Sequence, residues 1–245
     1  MKNFNRNFCI TSLLFIFIFL QPQFLYANDI SVEEKVGDFL VNEFEPESIL
    51  VQATEGGSFM YAKAKGVVIE GVRLDSLSLY ALMKSNFAGA DIKNSDKYEL
   101  AEHIYMSRGE VVILEKDVLN YCKKETEDIK GFKDLNIDFT KDFVKISGVY
   151  VAKFVFTFNF RLSATAKLSF DSKGLTLTDV KLYINNVEQP ESLSKMLVDK
   201  INPLIKPNKI PFPVKITDII MTDDKIIFTG HPKPLKDVNE WRYKR

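Results

Sequence analysis

The side chains that most often perform enzymatic chemistry are few in this chain, and their spacing does not group them. The sequence contains two histidines, His103 and His231, and two cysteines, Cys9 and Cys122. A catalytic triad or a zinc site needs several such groups around one point, and neither histidine has a partner at a recognisable spacing. G-x-S-x-G, P-loop and G-x-G-x-x-G motifs are also missing. We therefore predict no catalytic residue, no metal site and no cofactor, with both histidines at the surface.

Cys122 is predicted to be a buried and unreactive thiol. It falls on the apolar side of a predicted helix whose C-terminal end is rich in acids, namely Glu125, Glu127 and Asp128. Burial and acidic neighbours both raise a thiol pKa, whereas a nucleophilic cysteine needs a lowered one.

Two other segments share some features with ion-binding sites. Residues 91–102 have the length of a calcium loop, but Lys93 stands where an acid is needed and Asp96 where the turn requires glycine. The segment from Lys206 to Lys209 could meet a phosphate head group, although a solvated loop is the simpler interpretation. Neither segment predicts a metal site.

The first residues have the layout of a secretory signal. Lys2 and Arg6 precede an apolar run from Cys9 to Leu20, and Ala27 offers a small residue for cleavage. An uncleaved anchor is the alternative, but the run falls short of the roughly 20 residues that span a bilayer. We predict a signal peptide over residues 1–27 and export to the periplasm or cell envelope.

The remaining 218 residues carry 31 basic and 33 acidic side chains. This balance argues against nucleic acid, which requires a basic surface, and against tight adsorption to anionic lipid. Without Cys9, the single Cys122 cannot form an internal disulfide, so the fold must be stabilised by burial. We predict one domain over residues 28–232 and a loose, charged tail over residues 233–245.

The most informative pattern is a long alternation of apolar and polar residues. Every even position from Phe154 to Phe170 is apolar, and every odd position after Val155 is polar. Such a period of two predicts an unusually long strand with one wet and one apolar face. The turn at Asp171–Gly174 leads to a partner strand with a bulge predicted between Leu177 and Val180.

Three amphipathic helices are predicted to cover this sheet. They span residues 31–44, with Ser31 and Glu34 as a capping box, about residues 115–126, and a stretch after Pro190 with an apolar stripe that includes Leu193, Leu197 and Ile201. A strand-like pattern between Gly66 and Leu82 slips in phase twice, and residues 86–102 are polar and irregular. A flat sheet with so long an apolar face would expose too much apolar surface. We therefore predict an α+β fold in which a long, curled, mostly antiparallel sheet wraps around amphipathic helices.

Several segments also resemble the LmeA-like phospholipid-binding family of bacterial envelope proteins, between about Val32 and Gly230. Residues 65–74 look like the family's first long strand, and residues 109–120 like its strand entering a helix. Asn202-Pro203-Leu204 with Ile210-Pro211-Phe212 is similar to its late helix and exit, and residues 226–230 to its terminal strand. The resemblance implies a TULIP-like cradle that binds phospholipid, and it supplies no catalytic residue.

Together these observations predict a non-enzymatic protein that holds phospholipid acyl chains in an apolar cleft and contacts membranes transiently. The predicted wall comprises Phe154, Phe156, Phe158, Phe160, Leu162, Leu193, Leu197 and Ile201. Two alternatives stay open: an accessory envelope protein with a solid core and protein partners, and an enzyme acting on envelope glycolipids. The oligomeric state does not follow from the sequence.

Overall fold

The computed structural model has an α+β fold with mostly antiparallel strands, as the sequence predicts, but the strands form two sheets where the sequence predicts a single long one. The structure describes residues 30–69, 71–85, 87, 97–153, 156–171, 174–202 and 214–245. Residues 31–245 belong to one compact unit. The predicted signal peptide, Phe154 and the Lys206–Lys209 segment lie outside the described residues.

Four α-helices occur in the described part of the chain: α1 (Val32–Phe44), α2 (Lys97–Glu102), α3 (Glu115–Thr126) and α4 (Glu191–Ile201). The Ser31 side chain accepts a hydrogen bond from the Glu34 N–H at 3.3 Å, which confirms the predicted cap of α1. Helix α2 corrects the prediction that residues 86–102 are irregular throughout. Of the helices just given, none combines the length and apolarity needed to cross a bilayer.

The larger sheet has eight strands in the order β11-β12-β4-β3-β2-β1-β13, with β10 beside β4 as its parallel member. Its strands are β1 (Ser48–Ala53), β2 (Phe59–Ile69), β3 (Val72–Met83), β4 (Ile104–Leu114), β10 (Val214–Lys215), β11 (Asp218–Met221), β12 (Lys225–Thr229) and β13 (Asn239–Lys244).

The chain reverses direction between β2 and β3, where the sequence pattern suggested one strand with bulges or bends. Ile69 pairs with Val72, so the two strands form a tight hairpin. Gly71 has φ +87°, a conformation that glycine adopts without steric cost. The slips in phase therefore mark a turn, and residues 65–74 do not form the single long strand that the resemblance implied.

The C-terminal segment is ordered, so the prediction of a loose tail over residues 233–245 is wrong for β13. This strand pairs antiparallel with β1 along its length, from Ser48 opposite Lys244 to Ala53 opposite Asn239. Its Trp241 lies against Gly37 of α1, where any larger side chain would overlap the indole. The predicted tail thus contributes apolar side chains to the core. Because β13 follows β12, residues 226–230 are not the terminal strand that the resemblance implied.

The smaller sheet has five strands in the order β5-β6-β7-β8-β9. They are β5 (Phe132–Phe139), β6 (Val144–Lys153), β7 (Thr157–Asp171), β8 (Gly174–Ile184) and β9 (Val187–Glu188). Each strand pairs antiparallel with the next along the chain. The predicted long strand is thus the central strand of its own sheet.

Two apolar clusters form the described core. The first lies between α1 and the β1–β3 part of the larger sheet and includes Phe39, Val51, Val67 and Trp241. The second joins the two sheets, because Ile137 and Leu175 of the smaller sheet pack in one cluster with Phe228 of the larger. Apolar side chains of α3 lie against this second cluster.

Candidate functional site

The smaller sheet has a continuous apolar face. In an antiparallel sheet, residues directly opposite each other project to the same side. The β7 residues Phe158, Phe160, Leu162 and Ala164 stand opposite Ala152, Tyr150, Gly148 and Ile146 of β6. On the same face, Leu162 and Ala164 also stand opposite Ile184 and Leu182 of β8, the neighbouring strand at the other edge of β7. We call this surface the apolar face.

The opposite surface of β7 is polar along its length. Asn159, Arg161, Ser163 and Thr165 alternate with the residues of the apolar face and stand opposite β6 residues from Lys145 to Val151. The two-sided character predicted from the alternation is therefore present in the sheet.

Burial changes along the apolar face from one end to the other. At the end that joins the larger sheet, Ile137, Phe139, Val144, Ala166 and Leu175 are buried. At the other end, Phe158 is 50% exposed, and Phe160, Leu162 and Ile184 are half-buried. Large apolar side chains that stay accessible in this way commonly mark a binding surface.

Helix α4 packs against β8 of the smaller sheet. Its C-terminal neighbour Asn202 is fixed to Leu177 of β8: Nδ2 donates to the Leu177 carbonyl oxygen and Oδ1 accepts from the Leu177 N–H, both at 2.8 Å. On the helix, Ser194 is buried, Leu193 is half-buried and Met196 is exposed. The helix is therefore held next to the sheet by a polar clamp at one end.

A bulge in β8 lies at the middle of the apolar face, where the sequence predicts it. Thr165 stands opposite Lys181 but Lys167 stands opposite Thr178, so β8 contains one extra residue. Asp179 in this bulge has φ +51°, and its carboxylate forms an ion pair with Lys167 at 2.8 Å. Lys167 lowers the pKa of Asp179 through this hydrogen bond and its charge.

A second apolar region lies beneath α1. A cavity of about 50 Å³ there is lined by α1 and by apolar side chains of the larger sheet, including Val36, Leu40, Met60, Val67 and Leu79. An engineered cavity of about 150 Å³ admits a single benzene molecule. The space beneath α1 is therefore too small for an acyl chain in this conformation.

The chemically reactive residues remain apart from one another. His231 Nε2 lies 2.9 Å from Asp218 Oδ2 on the surface, whereas His103 lies beside Phe87, with ring centroids 5.8 Å apart and ring planes tilted by 58°. Burial and the charge of Glu125 raise the pKa of the half-buried Cys122 thiol, as predicted. Within the described ranges, no three metal-ligating side chains converge.

The structure places the predicted wall residues as follows. Phe158, Phe160 and Leu162 lie on the apolar face, and the rings of the first two are 6.5 Å apart. Phe156 precedes β7 and is 71% exposed. Leu193, Leu197 and Ile201 belong to α4, but the side chains of Leu197 and Ile201, like all of Phe154, lie outside the description.

Sequence reasoning missed the contribution of β6 to this face. Ile146 and Tyr150 are exposed there beside the phenylalanines of β7. A signal was present, because Val144, Ile146, Gly148, Tyr150 and Ala152 also follow an alternating pattern. The glycine and alanine in this series, together with the apolar Val149 and Val151 at intervening positions, make this pattern weaker than that of β7.

Comparison with known proteins gives one match. The family model described as LmeA-like phospholipid-binding matches residues 61–231, which is well over half of the chain. The matched range begins in β2 and ends just after β12, so it contains the whole apolar face and α4. No curated protein and no solved structure matches the chain.

Proposed function

The chain belongs to the LmeA-like phospholipid-binding family, and from this premise we propose that it holds phospholipid acyl chains against the apolar face. In this proposal the sheet and α4 form a curled, TULIP-like cradle, and the protein acts without catalysis. It is exported by its first 27 residues to the periplasm or cell envelope, where it carries or maintains envelope lipid and contacts membranes transiently.

The observation that carries the proposal is the accessible half of the apolar face. From Phe158 to Ala164 the strand extends about 20 Å at roughly 3.3 Å per residue. One acyl chain fills about half of a bilayer core, or roughly 15 Å. The accessible stretch is therefore long enough to lie against one chain.

The energetics of such a site need no sequence motif. Burying about ten methylene groups contributes about 8 kcal/mol, which corresponds to micromolar affinity before the cost of immobilising the lipid is subtracted. Affinity then depends on apolar area, and selectivity depends on a few polar groups at the mouth of the site. This is consistent with a family defined by binding and a wall made of Phe and Leu.

A second candidate function is supported by the small cavity beneath α1. There the core is nearly filled by its own side chains, as expected for an accessory protein with a solid interior. Such a protein would act through protein partners and would carry no lipid.

Native mass spectrometry distinguishes these two functions. The full chain is expressed in a bacterium and purified from the cell envelope in a detergent that leaves bound lipid in place. We expect a fraction with the added mass of a phospholipid, which organic extraction removes. A protein that carries no lipid and takes up no fluorescent phosphatidylglycerol from vesicles would contradict the carrier function and favour the accessory one.

A further inference from the structure

Exposed apolar side chains lie at the far end of the smaller sheet, beyond the accessible half of the apolar face. β5 and β7 begin at this end, and β6 ends there. We call this end the sheet tip, comprising residues 129–131, Lys153 and Phe156. Ile129 and Phe156 are both exposed, and both lie outside the strands that pair at this end.

The tip is a single surface, because its parts are tied together by backbone contacts. The Val151 N–H donates to the Gly131 carbonyl oxygen at 2.6 Å, which fixes the 129–131 turn to the end of β6. Lys153 stands opposite Thr157, the first residue of β7, so Phe156 lies next to this pair. The tip continues directly into the apolar face through Tyr150 and Phe158.

Basic side chains lie near the tip on the polar side of the sheet. An open cleft of about 550 Å³ lies there, lined by Lys133, Asp134, Val149, Asn159, Arg161, Asn185 and Asn186. The Arg161 backbone is fixed by Asn185, whose Oδ1 accepts from the Arg161 N–H at 2.9 Å. Lys153 and Lys130 are also exposed. The nearby acids are Asp134 in the cleft and Glu127 and Asp128 before the turn.

We propose that the sheet tip docks on the surface of a phospholipid bilayer, with Phe156 and Ile129 inserted among the head groups and Lys153, Lys133 and Arg161 directed at phosphates. Apolar side chains flanked by basic ones suit the interfacial zone of a membrane, where one end of a group is apolar and the other is wet. The proposal rests on the proposed function in one respect, namely that a lipid carrier must meet the membrane that supplies its cargo.

Continuity between the tip and the apolar face favours a bilayer over a protein partner. A lipid leaving a bilayer at Phe156 would next meet Phe158 and Tyr150, which begin the apolar face. A protein partner would gain nothing from this continuity. Because the whole chain carries almost no net charge, electrostatic adsorption to a bilayer has to come from a local basic surface.

Vesicle flotation with protein-free vesicles tests the docking surface. The full chain is mixed with vesicles of phosphatidylcholine and phosphatidylglycerol in a 3:1 ratio, roughly the charge density of an anionic membrane surface. We expect the double variant F156S/I129S to bind at least tenfold more weakly than the unaltered protein. The matched control is Tyr105→Ser, which removes an aromatic side chain that is 73% exposed on the larger sheet. Equal binding by the double variant and the unaltered protein would overturn the proposal.

The charged part of the surface is tested by Lys153→Gln, with Lys145→Gln as its control. Both lysines are exposed on β6, but Lys145 stands opposite Thr165 at the other end of the strand. A lysine near an anionic bilayer strengthens binding about fivefold, so K153Q should weaken flotation by that factor and K145Q should not. Equal losses in both variants would show that adsorption is not confined to the tip.

Bound lipid is measured on the same preparations, so that docking and cargo binding can fail separately. The proposal requires that Ile129→Ser, which alters the tip but no residue of the predicted wall, can still be loaded with phosphatidylglycerol from detergent solution. Failure of the unaltered protein to float while it retains extractable lipid would overturn the docking inference alone. Flotation of a protein that holds no lipid would contradict the carrier function but support the docking surface.

Discussion

Asn202 binds both backbone polar groups of Leu177, with its side-chain amide donating to the carbonyl oxygen and accepting from the N–H at 2.8 Å each. The side-chain amide thus replaces the backbone hydrogen bonds of a neighbouring strand, at a position of β8 where β9 does not pair. It connects the end of α4 to the sheet that carries the apolar face.

Asn202→Ala should loosen α4. Removing two hydrogen bonds that each contribute about 1 kcal/mol should lower the free energy of unfolding by about 2 kcal/mol. Amide hydrogen exchange in α4 should accelerate more than exchange in the core strands. Asn120→Ala, at an exposed position on α3, is the control. Unchanged exchange in α4 would show that side-chain packing alone holds the helix.

Phe158→Asp should abolish lipid retention while the protein still folds. The side chain is half exposed, so an aspartate there can remain hydrated, but an acyl chain cannot pack against its charge. We expect at least a tenfold loss of phospholipid by native mass spectrometry, with the unfolding free energy lowered by about 1 kcal/mol. Complete unfolding would instead indicate that Phe158 belongs to a solid core.

Asn159→Asp is the matched control for this variant. It introduces the same charge one residue away, on the opposite and exposed side of β7. Because lipid is proposed only on the apolar face, N159D should retain it. Equal loss in both variants would point to the strand as a whole rather than to one face.

Arg73→Met should destabilise the protein by about 3 kcal/mol, measured by urea unfolding. Arg73 Nη1 lies 3.1 Å from Oδ2 of Asp117, whose side chain is 8% exposed, and Nη2 lies 2.7 Å from Oε1 of the exposed Glu47. Glu47, followed by the charge of Asp117, raises the pKa of Arg73, so the guanidinium stays charged. Its removal leaves the Asp117 carboxylate buried without a counter-ion.

Two comparisons separate the contributions of these partners. Glu47→Gln should cost less than about 1 kcal/mol, since exposed ion pairs contribute little. Adding Asp117→Leu to Arg73→Met should recover part of the loss, because it removes the isolated charge. If E47Q proved as costly as R73M, the exposed pair would be the stabilising one.

The Cys122 thiol should react slowly with iodoacetamide. Burial, followed by Glu125, raises its pKa above the ordinary value, so the reactive thiolate is scarcer at neutral pH than in an unfolded chain. The rate should rise with pH through a midpoint higher than that of the same protein in concentrated urea. A lower midpoint in the folded protein would indicate an activated cysteine and reopen a catalytic role.

Local patterns in the sequence predicted a large part of the fold. Ser31 with Glu34 located the start of α1, and the alternation after Phe154 predicted β7 and its two faces. The slip between Leu177 and Val180 located the bulge that Lys167 and Asp179 now close with an ion pair. These features depend on residues close together in the chain, where helix and strand periodicity act directly.

Other features depend on pairing between distant residues, and the sequence did not predict them. The charged segment that contains Trp241 reads as a tail, yet it completes the larger sheet because β1 offers it a free edge and Gly37 gives space for the indole. Likewise, the sequence pattern between Gly66 and Leu82 predicts one strand, whereas the structure has two, β2 and β3, joined by a short turn. Strand pairing over such separations depends on burial that only the folded chain creates.

The composition and spacing of residues thus determined that β7 has an apolar face and a polar face and that the fold mixes helices with antiparallel strands. Only the tertiary structure decided which half of the apolar face is covered. The same phenylalanine and leucine pattern is buried where the larger sheet and α3 pack on it, and accessible towards Phe158. Alternation reports the direction of a side chain, whereas accessibility depends on what the rest of the chain brings opposite it.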